Sequence, residues 1–130
     1  MKLSGITIRQ SPYAVKETVD LLQSFITQHG ATIYARIDQQ NELAKSGQTI
    51  PPLEFILFGN PKAGGPIMVE NPVAALDLPL KVIAWEDQEQ KVWVAYNEGG
   101  YIKDRFSLSD SVSTLLNLDP VIAKVLGDTM

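Results

Sequence analysis

The run Gly59-Asn60-Pro61-Lys62-Ala63-Gly64-Gly65 holds the densest set of groups able to act on a ligand. Glycines that follow a strand let backbone N–H groups converge on an anion, and Lys62 adds positive charge. The spacing is neither G-x-x-x-x-G-K-S/T nor G-x-G-x-x-G, so it is no nucleotide fingerprint. The competing reading is a shaped loop in which glycine supplies unusual dihedrals and Asn60 bonds the neighbouring backbone. Asp77 stands between Leu76 and Leu78, just ahead of Pro79. A carboxylate in so apolar a setting needs backbone N–H groups or a cation such as Arg36 or Lys62. It either braces its turn or lies beside a pocket with a shifted pKa. A strand over residues 31–38 puts Tyr34, Arg36 and Asp38 on one face, and Gln39 follows it. The site expected from these residues is a pocket between the 59–79 segment and that polar face. Its candidate liners are Asn60, Lys62, Gly64, Asp77, Tyr34, Arg36, Asp38 and Gln39.

Other chemistries find little support. The chain has no cysteine, which excludes disulfides, thiolate zinc sites and thiol nucleophiles. Its single histidine, His29, lies in no H-E-x-x-H pattern, and no G-x-S-x-G elbow exists. No metal or cofactor is therefore expected, and His29 is assigned to the negative end of a helix dipole. Asp38 and Glu42 are four apart, but a change of element separates them. Trp85, Trp93, Tyr96 and Tyr34 either stack on a planar ligand or pack in a core or interface.

The formal charge is −4, and residues 61–130 carry ten acids against six Lys and Arg. No basic stripe is present, so neither nucleic acid nor an anionic membrane is an expected partner. The first nine residues lack the apolar core of a signal peptide, and no apolar run approaches the roughly 18 residues of a membrane helix. A cytoplasmic protein is the expectation.

The elements that must position these groups follow from periodicity. Ile6 to Gln10 alternates as a half-buried strand. Ser11-Pro12 has the form of a helix cap, and Val15, Val19, Leu22, Phe25 and Ile26 recur at helical spacing up to Gly30. Gln40 to Ser46 forms a short helix after the second strand. Leu53 to Phe58 is apolar on both faces apart from Glu54, as in a strand covered on both sides. Residues 59–79 read as a loop with one short helix capped by Asn71-Pro72, and a loop this long with structure of its own is often functional. Leu80 to Trp85 and Lys91 to Tyr96 form a hairpin. A short helical turn at 101–105, an ambiguous stretch at 109–118 and a helix opened by Asp119-Pro120 complete the chain.

This order, β-α-β-β-β-β-α, predicts one α+β domain over 1–130. Its antiparallel sheet has about five or six strands, with two main helices on one face and short helical insertions. If Leu53, Phe55 and Leu57 face the helices, then Ile56, Phe58, Ile83, Trp85 and Trp93 make a second apolar face. Such a face is not left to water without consequence. The 59–79 segment and a second copy of the chain are each expected to cover part of it, which predicts a homodimer.

Phe58-Gly59-Asn60-Pro61-Lys62-Ala63-Gly64, Asn71-Pro72, Ala75-Leu76-Asp77-Leu78-Pro79-Leu80-Lys81, Trp85-Glu86-Asp87 and Val92-Trp93-Val94-Ala95-Tyr96 together resemble domain of unknown function 302. The resemblance implies a bacterial or archaeal protein, often dimeric, with a single-copy TATA-binding-protein-like fold. It implies no activity, and fold likeness to a DNA-binding protein does not carry DNA binding. Two positions depart from the family pattern. Gln39 stands where a histidine is common, and Gln90 where a turn glycine is usual. The leading functional expectation is a non-enzymatic domain that binds a small ligand or a partner under the 59–79 segment. The alternatives are an enzyme with Asp38 or Asp77 as general base, and a structural homodimeric adaptor.

Overall fold

Alternation along each strand sends neighbouring side chains to opposite faces, so strand pairing decides what each face carries. In the computed structural model, which describes residues 3–127, five strands pair antiparallel in the order β1-β5-β4-β3-β2. They are β1 (Ile6–Ser11), β2 (Thr32–Asp38), β3 (Leu53–Gly59), β4 (Leu80–Glu86) and β5 (Val92–Asn97). Helix α1 (Val15–Gln28) buries Val15, Val19, Leu22 and Ile26, spaced four, three and four apart, against one face. The helix α6 (Asp119–Leu126) adds Ile122 and Leu126 to the same core. The α+β class, the antiparallel sheet and the two helices on one face are as expected.

The register corrects the assignment of faces. Ile56 stands opposite Val82, and Phe55 opposite Ile83. Ile56 and Phe58 therefore point at the helices, with Val82, Ala84, Val94 and Tyr96. Leu53, Phe55 and Leu57 join Ile83, Trp85 and Trp93 on the opposite, open face. A strand apolar on both faces carries no internal mark of parity, so only its partners fix which way it points.

The α1 start also differs. Ser11 still pairs with Val92 as the end of β1, and the helix begins at Val15. The Ser11 hydroxyl accepts the Tyr13 N–H at 3.1 Å and shares a buried 2.6 Å hydrogen bond with the Thr18 hydroxyl. The other end closes as expected. Gly30 takes φ +89°, its N–H donates to Thr27 O, and Ala31 N–H donates to Ile26 O. His29 Nδ1 lies 2.8 Å from Phe25 O, with the two rings stacked.

The 59–79 segment departs most from expectation. It contains a ten-residue helix, α3 (Pro61–Glu70), through Gly64, Gly65 and Pro66, residues of low helix propensity. Asn60 Oδ1 accepts the Lys62 N–H at 3.0 Å, Pro61 occupies the first turn, and fully buried Ile67 anchors the far end. That anchor outweighs propensity. Ile67 and Ala74 pack with Ile102, Phe106 and Leu116 as a second cluster. This cluster joins α3 and a 3-10 turn (Pro72–Asp77) to α4 (Gly99–Arg105), α5 (Asp110–Ser113) and a 3-10 turn (Thr114–Leu116). The segment thus folds onto the C-terminal helices rather than across the sheet. It borders the open face only at one end, near Leu57, Lys81 and Asn97.

Candidate functional site

The residues singled out from sequence fall into three places. Tyr34, Asn60 and Gly64 line a hollow of about 180 Å³ together with Met68, Leu78 and Pro79. Its walls are apolar, and Asn60 is already engaged in capping α3. The Lys62 side chain is exposed on α3.

Arg36, Asp38 and Gln39 lie elsewhere, toward the other end of β2. Arg36 braces β2 against α1 and β3, donating to Asp20 at 2.7 Å and to Glu54 at 3.0 Å. Burial works against its charge, but these two carboxylates prevail and raise its pKa. Asp20 is held below the usual carboxylate range by Arg36, with Lys16 assisting. Asp38 Oδ1 accepts the Asn41 N–H at 3.0 Å, capping α2 (Gln39–Ala44), in which Gln39 is the first residue.

Asp77 is paired with neither Arg36 nor Lys62. Its two carboxylate oxygens accept from Arg105 Nη1 at 3.1 and 2.9 Å, tying the 3-10 turn to the last turn of α4. Sequence reading missed Arg105, because 28 residues separate it from Asp77.

Asp77 also lines a second, more enclosed pocket of about 320 Å³ between the Leu76–Lys81 stretch and the end of the sheet. Its polar groups are Asp77, Lys81 and Asn97; Leu57, Leu78 and Leu118 are among its apolar walls. The Lys81 ammonium lies over the Phe55 ring, 4.6 Å from its centroid. Among the described residues no carboxylate comes within 4.0 Å of it. Lys81 left a trace in the sequence, as the one charged residue in the run Leu80 to Trp85. Asn97 left none.

A third concavity, about 540 Å³, opens on the uncovered sheet face. Ile6, Ile8, Ile83 and Trp85 flank it, Ala95 lies at its floor, and Pro51-Pro52 forms a rim. The Pro52 carbonyl, bonded to the Glu86 N–H at 3.0 Å, fixes that rim to β4. Among the described residues no group of three or more His, Cys, Asp and Glu could hold a metal ion. None of their helices is long and apolar enough to cross a membrane.

Comparison with known proteins places the chain. The fluoride-specific ion channel FluC 1 of Brucella suis biovar 1 (strain 1330) is 33% identical over 105 residues, covering 81% of this chain and 41% of that protein. FluC 2 of Brucella melitensis biotype 1 matches equally, with 39% of its length covered. The chain spans about two-fifths of the length of these curated relatives. A crystal structure of an uncharacterized conserved protein DUF302 from Bacillus stearothermophilus shares the fold. Its TM-score is 0.79 over 95% of this chain and 97% of that one, at 13% identity. The family model described as Domain of unknown function DUF302 matches residues 7–125, and the chain belongs to that family.

Proposed function

We propose that this domain is a non-catalytic binding module whose small-molecule site is the 320 Å³ pocket at the insertion end of the sheet. The observation that carries this reading is the meeting of Asp77, Lys81 and Asn97 among leucines in one concave pocket. Small-molecule sites are concave and use a few converging polar groups to fix orientation. The carboxylates suited to proton transfer have structural tasks, Asp38 at a helix cap and Asp77 on Arg105. That favours binding over catalysis. The matches to fluoride-specific channels agree with an accessory role. A channel needs membrane-spanning segments, and the shared segment makes up only about two-fifths of those proteins. The test is to denature the purified protein and identify the small molecules it releases, beside a Leu76→Trp variant that crowds the exposed rim. A compound released by the wild type and depleted about tenfold in the variant supports the site. Equal release from both, or none from the wild type, refutes it.

The open face supports a second role, self-association. Strands about 4.8 Å apart and rising about 3.3 Å per residue make a five-stranded face roughly 20 Å on each side in plan, larger once side chains corrugate it. Its plan area of about 400 Å² is about half of the roughly 800 Å² each partner gives to a standard interface, before side-chain relief is added. Its centre is aliphatic and aromatic, so a second copy can stack on it sheet to sheet. Sedimentation should show a dimer that Ile83→Asp converts to monomer with the fold intact. A wild-type monomer at high concentration would dismiss this role.

A further inference from the structure

The pocket at the insertion end also selects a chemical class of ligand, an inference that rests on the binding role given to it above. We propose that it takes a small carboxylate with an aliphatic body. The anionic head lies at Lys81 and Asn97, and the body lies against Leu57, Leu78 and Leu118.

Asp77, the acid in the lining, has both oxygens occupied by Arg105. Lys81 has only the Phe55 ring as a neighbour for its charge, with no carboxylate in reach among the described residues. Two cations therefore stand against one acid here, in a chain whose net charge is −4. An anion entering the pocket meets local attraction where most of the surface repels it.

Donor supply separates carboxylate from phosphate. A phosphate has three strong acceptor oxygens and is bound by converging backbone N–H groups or several cations. In this lining Pro79 has no N–H, and that of Leu78 is bonded to Ala75 O. Among the side chains of the lining, one ammonium and one amide can donate, which suffice for the two oxygens of a carboxylate. A volume of about 320 Å³ lies at the lower end of small-molecule pockets, and leucines dominate the rest of the lining.

The test is titration of the full chain, followed by amide ¹H–¹⁵N shifts, with 4-methylpentanoate, 4-methylpentanamide, inorganic phosphate and fluoride. The carboxylate should move the signals of Leu57, Leu78, Lys81 and Asn97 together. The amide should bind about tenfold more weakly. Lys81→Met, which keeps the side-chain stem, should weaken carboxylate binding by a similar factor while leaving the melting curve in place. Carboxylate and amide binding equally well here, with Lys81→Met silent, would overturn the ligand class and leave the pocket as a site. Tighter binding of phosphate or fluoride would overturn the class in the same way. If no probe moves these signals, and Leu76→Trp releases the same compounds as the wild type, the binding site itself is lost.

Discussion

The two faces of this sheet are built from the same strands and are similarly apolar, yet their surroundings differ. On one face Ile56, Val82, Ala84 and Val94 are sealed by α1 and α6 and have no accessible surface. On the other, Leu53, Leu57, Ile83, Trp85 and Trp93 remain half-buried, and Leu53, Ile83 and Trp85 line a concavity of about 540 Å³. The chain has apolar residues to spare: Ile67, Ala74, Ile102, Phe106 and Leu116 form the separate cluster that joins the insertion to the C-terminal helices. They pack beside the sheet rather than over it. The sealed face accounts for stability. The open face leaves its apolar side chains half-buried, and the pocket at its end is where polar groups gather.

The largest expected effect sets one face against the other. Ile56→Ala on the sealed face should cost about 2–5 kcal/mol in denaturant unfolding, through lost transfer energy and a cavity that cannot collapse. Ile83→Ala, one position away in register on the open face, should cost about 1 kcal/mol or less in dilute protein and more as concentration rises. Equal costs at every concentration would break the distinction between the faces. Next comes the insertion end. Arg105→Met leaves the Asp77 carboxylate, 14% exposed, without its cation, at a cost of roughly 1–3 kcal/mol. Adding Asp77→Asn should recover part of that loss. A double variant as unstable as the summed singles would show that the pair is not coupled.

Smaller effects belong to the β4–β5 hairpin, which carries Trp93 on the open face. Gln90 holds φ +65°. This region costs a residue with a side chain about 1–2 kcal/mol, against the roughly 0.5–1 kcal/mol of extra chain entropy that glycine loses. Gln90→Gly should therefore raise stability slightly, by about 0.5–1 kcal/mol. A lowered melting temperature would contradict the strain. Last, Asp87 Oδ2 accepts the Trp93 indole N–H at 2.8 Å, and Oδ1 accepts the N–H groups of Lys91 and Glu89. The indole, then the backbone donors, hold its pKa below the ordinary 3.8. A depressed carboxylate contributes its stabilisation in full above that ordinary value and loses it as pH falls through the folded one. Trp93 fluorescence should shift below pH 3.8, and Asp87→Asn should abolish the step. A step that survives in Asp87→Asn would assign it to another group.

Much of the fold was legible because local rules and tertiary packing agree. The period of Val15, Val19, Leu22 and Ile26, the Gly30 terminus and the Asn71-Pro72 cap each specify what forms. Legibility failed where non-local contacts decide. Helix α3 runs through Gly64-Gly65-Pro66 because Ile67 is buried far from home. The parity of Leu53 to Phe58 is set by Val82 and Ile83, not by the strand itself. The same holds for the site. Asn60 and Asp77 stood out by type, and both stand at pocket walls. Asn97 and Arg105 read as ordinary surface residues until the insertion folds back beside them, and Lys81 stood out only as the lone charge in the run Leu80 to Trp85. Asp119 stood out as a helix cap, but its carboxylate accepts the buried Tyr96 hydroxyl at 2.6 Å. Burial, then that carboxylate, raises the phenol pKa.

The assignment of self-association to the open face and ligand binding to the pocket is tested most directly by native mass spectrometry of the purified protein. The expected particle has twice 14.3 kDa and carries the added mass of a small molecule on each chain. A single bare chain of 14.3 kDa, at concentrations where a standard interface would hold, would contradict it.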